Sequence, residues 1–193
     1  MPTIHSVAVF CGSRFGNNPA CSAAAHALGQ GLAQAGMRLV YGGGKVGLMG
    51  VVADAALAAG GQVLGVIPDF LKRWEVAHER VENMIVTPSM HVRKHRMFEA
   101  ADAFVTLPGG IGTLDETIEI ISWRQLRLHD KPVLICDVEG SAEPLRAALD
   151  ATIAMGFAGP ETRCLYEFVP GVPAVLERLA SLPLAGAADP DRL

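Results

Sequence analysis

Apolar residues fall in seven short, nearly uninterrupted runs: Ser6 to Phe10, Met37 to Tyr41, Gln62 to Ile67, Met84 to Val86, Ala103 to Leu107, Pro132 to Cys136 and Cys164 to Val169. Each has the length of a strand and is rich in Val, Ile and Leu. Runs that are apolar throughout, rather than alternating, belong to strands covered on both faces, as in a parallel sheet. Between them lie Ala-rich segments of helical character. Pro19 to Ala35 opens with Asn18 as N-cap and Pro19 at the first helical position, and it stops at Gly36. Further helices are expected over Gly47 to Ala59, Met90 to Ala101, Thr113 to Leu128, Glu143 to Met155 and Val172 to Leu182. The alternation predicts an α/β fold with an open, mainly parallel sheet and helices on both faces, whose ligands bind beyond the strand C-termini. Asp69 to Asn83 breaks the rhythm with a charged stretch holding Trp74, Glu75, His78 and Arg80. It is either a cover over a site or a plain surface excursion.

Composition narrows the function classes. The chain has 193 residues, half of them apolar and 19% charged, so residues 1–184 are expected to form one domain with a core that needs no disulfide or metal. Residues 185–193, rich in Ala, Pro and Asp, are expected to fray. No stretch has the 18 consecutive apolar residues of a membrane span, and Met-Pro-Thr-Ile-His-Ser has no basic leader, so a soluble cytoplasmic protein is expected. The spacing of Cys11, Cys21, Cys136 and Cys164 fits no zinc site and suggests small buried hydrophobes in a reducing compartment. A net charge of −4 and 6% aromatics argue against a nucleic-acid groove.

Glycine is in excess, at 21 residues against the usual share of about 7%. Ten of them sit in three clusters at strand ends: Gly12 and Gly16; Gly42, Gly43, Gly44, Gly47 and Gly50; and Gly109, Gly110 and Gly112. Any one cluster is explained by a sharp turn. Three on one edge, each leading into a helix, point to backbone N–H groups gathered around an anion such as a phosphorylated small molecule. Gly42-x-Gly44-x-x-Gly47 matches a dinucleotide fingerprint, but it does not follow the first strand and is discounted. Lys45 is followed by Val46 rather than Ser or Thr, so no Walker loop is present.

Two charged positions change this picture. The segment Met90 to Ala101 carries a net +2 with Arg93 and Lys94 in its first turns, where cations oppose the helix dipole. Helical rotation sets both beside the stripe of Met90, Met97 and Ala101, which fits either snorkelling stems or anion binding. Thr113-Leu114-Asp115-Glu116 reads as a capping box, with Thr113 as N-cap, yet it places Glu116 beside the Gly109 to Gly112 cradle. Glu116 lines up with Ile120 and Trp123, apart from Leu114, Ile118 and Ile121, so that helix is expected to pack twice, once against another subunit.

Pro108-Gly109-Gly110-Ile111-Gly112-Thr113-Leu114-Asp115-Glu116, with Met90-His91-Val92-Arg93-Lys94 and Gly42-Gly43-Gly44 followed by Gly47-Leu48-Met49-Gly50 upstream, resembles the LOG family. These are cytokinin riboside 5′-monophosphate phosphoribohydrolases, often mislabelled as lysine decarboxylases. The likeness runs from about Ser6 to Leu182. It implies a Rossmann-like homodimer, without metal or cofactor, that hydrolyses the N-glycosidic bond of an adenine-type nucleoside monophosphate. By motif, Arg93 and Glu116 correspond to the catalytic pair, with Arg93 holding the Glu116 pKa low. Gly109, Gly110, Ile111, Gly112 and Thr113 would hold the phosphate; Met90, Lys94, Leu114, Asp115, Ser13, Gly43, Gly44 and Glu75 would stand around the substrate. Asp115 and Ile111 depart from residues common in the family. The wider superfamily offers a second reading, a nucleotide- or molybdenum-cofactor carrier without catalysis, which would need the cradle but not the ionised carboxylate.

Overall fold

The computed structural model describes residues 4–72 and 77–183; Trp74, Glu75 and the 185–193 tail lie outside the described residues. The chain alternates strand and helix almost throughout. The strands are β1 (Ser6–Phe10), β2 (Arg38–Tyr41), β3 (Val63–Pro68), β4 (Asn83–Thr87), β5 (Ala103–Thr106), β6 (Val133–Asp137) and β7 (Glu167–Pro170). The helices are α1 (Pro19–Gln34), α2 (Gly47–Ala58), the single turn α3 (Asp69–Lys72), α4 (Met90–Glu99), α5 (Ile111–Gln125), α6 (Glu143–Ala154) and α7 (Gly171–Ser181). All seven strands pair in parallel in the order β4-β3-β2-β1-β5-β6-β7.

The expected two-sided burial is present in the central strands but not at the sheet edge, where Ile85 and Val86 of β4 are exposed because no further strand or helix covers them among the described residues. Every residue of β1 and β5 is buried, and the core divides into two clusters on the two faces of the sheet. One cluster packs Leu28, Leu32, Val52 and Val175 of α1, α2 and α7 against Val7, Leu39 and Val105. The other packs Met97, Phe98, Ile120, Ile121 and Leu149 of α4, α5 and α6 against Ala8, Phe10, Val40 and Phe104.

Strand order positions the site. The chain winds outward from β1 to β4 and then returns to place β5 on the free side of β1, so two connections leave this point in opposite directions. A crevice opens there, beyond the strand C-termini. Its walls meet closely: Gly12 N–H donates to the Pro108 carbonyl at 3.1 Å, and a Cβ on Gly109 would collide with the Thr113 side chain and with Gly12 N. Gly47, at φ +66°, lies against the Ser13–Arg14 backbone where no side chain fits. The glycine clusters are therefore packed together on one sheet edge, as their number suggested.

Local differences have local causes. Asn18 caps α1 by accepting from Ala20 N–H, with Pro19 in the first turn, as expected. The expected strand from Cys164 to Val169 begins only at Glu167, because Pro160–Leu165 winds into a 3-10 turn. Cys164 is exposed, unlike the buried Cys11, Cys21 and Cys136. The capping box does not form: α5 starts two residues earlier, with Gly110 as an N-cap that offers no side chain, and Thr113 lies inside the first turn. No described helix is long and apolar enough to cross a membrane.

Candidate active site

Arg93 and Glu116 reach the crevice from different helices. Ser89 caps α4 through a hydrogen bond from Val92 N–H, which fixes the first turn and turns Arg93 inward. Arg93 Nη1 donates to Glu116 Oε1 at 2.6 Å, its Nε donates to the Val66 carbonyl at 3.2 Å, and Met90 Sδ stands 3.7 Å away. Both residues of the pair are 7% exposed. Gly42 leaves the space the guanidinium fills, since a Cβ there would strike Arg93 and Met49.

The pair lines a cavity of about 200 Å³ together with Cys11, Ser13, Met49, Leu71 and Met90 and with Gly110, Ile111, Gly112 and Thr113. The last four form the uncapped N-terminus of α5, the helix that also carries Glu116, with no acidic residue in its first turn. The first amides of a helix have no partner inside it, so this terminus combines free N–H donors with the positive end of a dipole. A neighbouring cleft of about 570 Å³, lined by Gly12, Phe15, Cys21, Leu48 and Pro108, shares Ser13, Gly110 and Ile111 with the cavity. Together the two have a volume of the size that small-molecule sites commonly have.

Electrostatics reverse one expectation. Burial raises the Glu116 pKa above the ordinary carboxylate value, and the opposing pull of Arg93 does not cancel it. A carboxylate losing its water pays more than one close cation returns, so the low pKa expected from pairing does not hold. The Cys11 thiol is raised as well, by burial first and by Glu116 second, and it stays protonated. Among the described residues no cluster of His, Cys, Asp and Glu could hold a metal.

The family model described as "Possible lysine decarboxylase" matches residues 49–179. A rice protein (Oryza sativa subsp. japonica) named probable cytokinin riboside 5′-monophosphate phosphoribohydrolase is 43% identical over 90% of this chain and 78% of its own. An Arabidopsis thaliana protein named cytokinin riboside 5′-monophosphate phosphoribohydrolase is 42% identical over 90% of this chain and 76% of its own. The chain belongs to the LOG family. In fold it is also similar to the molybdenum cofactor binding protein of Rippkaea orientalis, with a TM-score of 0.71 at 22% identity, covering 94% of this chain and 98% of that one.

Not every motif residue of the LOG pattern enters the cavity. Met90, Ser13, Gly110, Ile111, Gly112 and Thr113 line it, while Gly109 lines the neighbouring cleft. Gly43 and Gly44 support a loop instead: the Gly43 carbonyl accepts from His78 N–H at 3.1 Å, and Gly44 bridges to Ala77. Leu114 is partly exposed, and Asp115 faces Lys94 across the outer side of α4 and α5. The sequence reading missed Cys11, Met49 and Leu71 as lining residues and the Val66 carbonyl as the acceptor for Arg93. Cys11 and Met49 flank glycines of the clusters and were findable by that adjacency.

Proposed function

We propose that this chain hydrolyses the N-glycosidic bond of an adenine-type nucleoside 5′-monophosphate, AMP or a cytokinin riboside monophosphate, to free base and ribose 5-phosphate in the cytoplasm. The observation that carries this reading is a buried Arg93–Glu116 pair and an uncapped helix N-terminus that line one cavity. Departure of the base takes the C1′–N electron pair with it and leaves positive charge on the ribose ring; water supplies the hydroxyl for C1′ and the proton for the base. An anion beside C1′ stabilises that state, and it does so more strongly where water is excluded. Glu116 supplies it, as electrostatic stabiliser, nucleophile or base towards water. Arg93 orients the carboxylate and contacts the ribose hydroxyls, and the amides of Ile111, Gly112 and Thr113 anchor the phosphate.

The relatives named as phosphoribohydrolases support hydrolysis. A carrier has no use for a desolvated carboxylate paired with arginine, which weighs against that second reading. A homodimer is part of the proposal: α5 exposes Leu114 and Ile118 on the side away from Glu116, whereas Ile121, expected on that stripe, is buried with Ile120 in the core, and Trp123 packs on Phe98 of α4. Incubating the chain with AMP and with isopentenyladenosine monophosphate, then measuring ribose 5-phosphate and free base, tests the reading; binding without release would return it to the carrier class.

A further inference from the structure

Lys94 lies partly buried between two carboxylates. Its Nζ lies 3.1 Å from Asp115 Oδ2 and 3.0 Å from Glu119 Oε1, and its side chain is 16% exposed. Both acids belong to α5, and Asp115 is the neighbour of Glu116 as Lys94 is the neighbour of Arg93. The side chain does not line the cavity. Farther along, Phe98 meets Trp123 edge-on with ring centroids 5.2 Å apart. The contacts advance in step along the two helices, so α4 and α5 run side by side, joined by side chains at successive levels. The lysine and its two acids carry a net charge of −1, which repels an incoming phosphate rather than attracting it.

We propose that Lys94 is a positioning residue: held between Asp115 and Glu119, it locks α4 to α5 and fixes the geometry of the Arg93–Glu116 pair one residue away on each helix. This rests on the reading of Arg93 and Glu116 as the groups that act on substrate. Lys94 also acts on the pair through its charge. The charged and titratable groups facing Glu116 are Arg93 and Lys94 from α4, Asp115 from its own helix and the Cys11 thiol from the end of β1; Arg93 and Lys94 lower its pKa and Asp115 raises it.

The test compares Lys94→Met, Lys94→Arg and the Asp115→Asn/Glu119→Gln double variant in the full chain, with AMP as substrate and circular dichroism as the check on folding. A small misalignment of reacting groups costs rate, so Lys94→Met and the double variant are expected to lose on the order of ten- to a hundredfold in kcat. KM stays nearly unchanged, and Lys94→Arg regains most of the loss because it can still reach both acids. The acid limb of kcat/KM moves to higher pH in Lys94→Met and to lower pH in Asp115→Asn. A rise in KM at constant kcat makes Lys94 a substrate contact and overturns the proposal; so does an unchanged kcat and pH profile. If Lys94→Met does not fold, the acid double variant decides by the same criteria. Should the parent chain release no ribose 5-phosphate, the functional reading has failed, while the strut is read separately by a double-mutant cycle on stability. Coupling between Arg93 and Glu116 is expected to fall in the Lys94→Met background, and unchanged coupling overturns the strut.

Discussion

Arg93 Nη1 and Glu116 Oε1 lie 2.6 Å apart, with both side chains almost wholly withdrawn from water. Removing either partner leaves the other buried without its counter-charge, which costs about 3–5 kcal/mol in comparable pairs. Glu116→Gln keeps an amide oxygen for Arg93 and is the milder change; Arg93→Met is the harsher one. Turnover of AMP is expected to fall roughly 10²–10⁴-fold in Glu116→Gln while the circular dichroism spectrum is retained. Arg93→Met lowers both turnover and the urea midpoint. A Glu116→Gln chain that releases ribose 5-phosphate at the parent rate removes Glu116 from the chemistry.

The raised pKa of Glu116 gives activity and stability opposite responses to pH. If the ionised carboxylate is needed, the acid limb of kcat/KM lies above the ordinary glutamate value of 4.5. The folded state holds that proton more tightly than the unfolded chain. Its contribution to stability is therefore complete below the unfolded value and is lost as pH rises through the folded one. Rising pH thus gains activity and loses part of the stability in the same window. Glu116→Gln is expected to flatten that part of the stability profile, which urea titrations at a series of pH values measure. An acid limb at the ordinary carboxylate value contradicts the burial argument.

Gly42 matters for what it omits. A methyl group there meets the guanidinium of Arg93 and the sulfur of Met49, so these side chains must shift from the positions that line the cavity. Gly42→Ala is expected to displace Arg93 and to lower kcat more than tenfold, on the scale of other small misplacements of catalytic groups. Circular dichroism and thermal unfolding of Gly42→Ala check that the fold is kept. Activity of Gly42→Ala at the parent level would falsify the idea that Gly42 makes room for the arginine.

His129 sets a separate pH dependence. Its Nε2–H donates to the Ile120 carbonyl at 2.9 Å and its Nδ1 accepts from Lys131 N–H at 3.1 Å, so both nitrogens are used by the neutral ring. Burial between Phe98 and Phe104 pushes its pKa down to about 4. A depressed base means that the unfolded chain binds the proton first. Stability is then lost as pH falls from the ordinary value of 6.5 towards 4. The loss is on the order of 2 kcal/mol. His78, lowered by burial too, contributes with the same sign. His129→Gln, which retains a donor and an acceptor, is expected to reduce the slope of unfolding free energy between pH 7 and pH 4.5.

Legibility in the sequence followed the range of the interaction. β1 was readable to the residue and α1 to its cap, because continuous apolar runs and Asn-Pro caps act locally. The 3-10 turn at Pro160–Leu165 was not, since Cys-Leu-Tyr suits a strand as well as a helical turn. The start of α5 was misplaced because a Thr-x-x-Glu signal competes with glycines that enter a helix without help. Arg93 and Glu116 were legible as candidates through their motifs. The direction of the Glu116 pKa was not, as it depends on how completely distant segments exclude water. The partners of Lys94, more than 20 residues away, lay beyond any local pattern.

The helix that carries Glu116 also offers a sharp test of phosphate binding. Its first turn has no side-chain cap and no acid, although stability alone favours a carboxylate there by about 0.3–1 kcal/mol. Ile111 stands in that turn at the rim of the cavity and is 86% exposed, so a change there disturbs no packing. Ile111→Asp should therefore raise the unfolding midpoint slightly, by satisfying the helix N-terminus, and at the same time raise KM for AMP by occupying the field meant for phosphate. Adenosine, which brings no anion, should be a poor substrate for the parent chain and should not be further impaired by the substitution. The opposite signs separate binding from folding, because a variant that is merely damaged loses both. An unchanged KM for AMP in Ile111→Asp places the phosphate elsewhere than the N-terminus of α5.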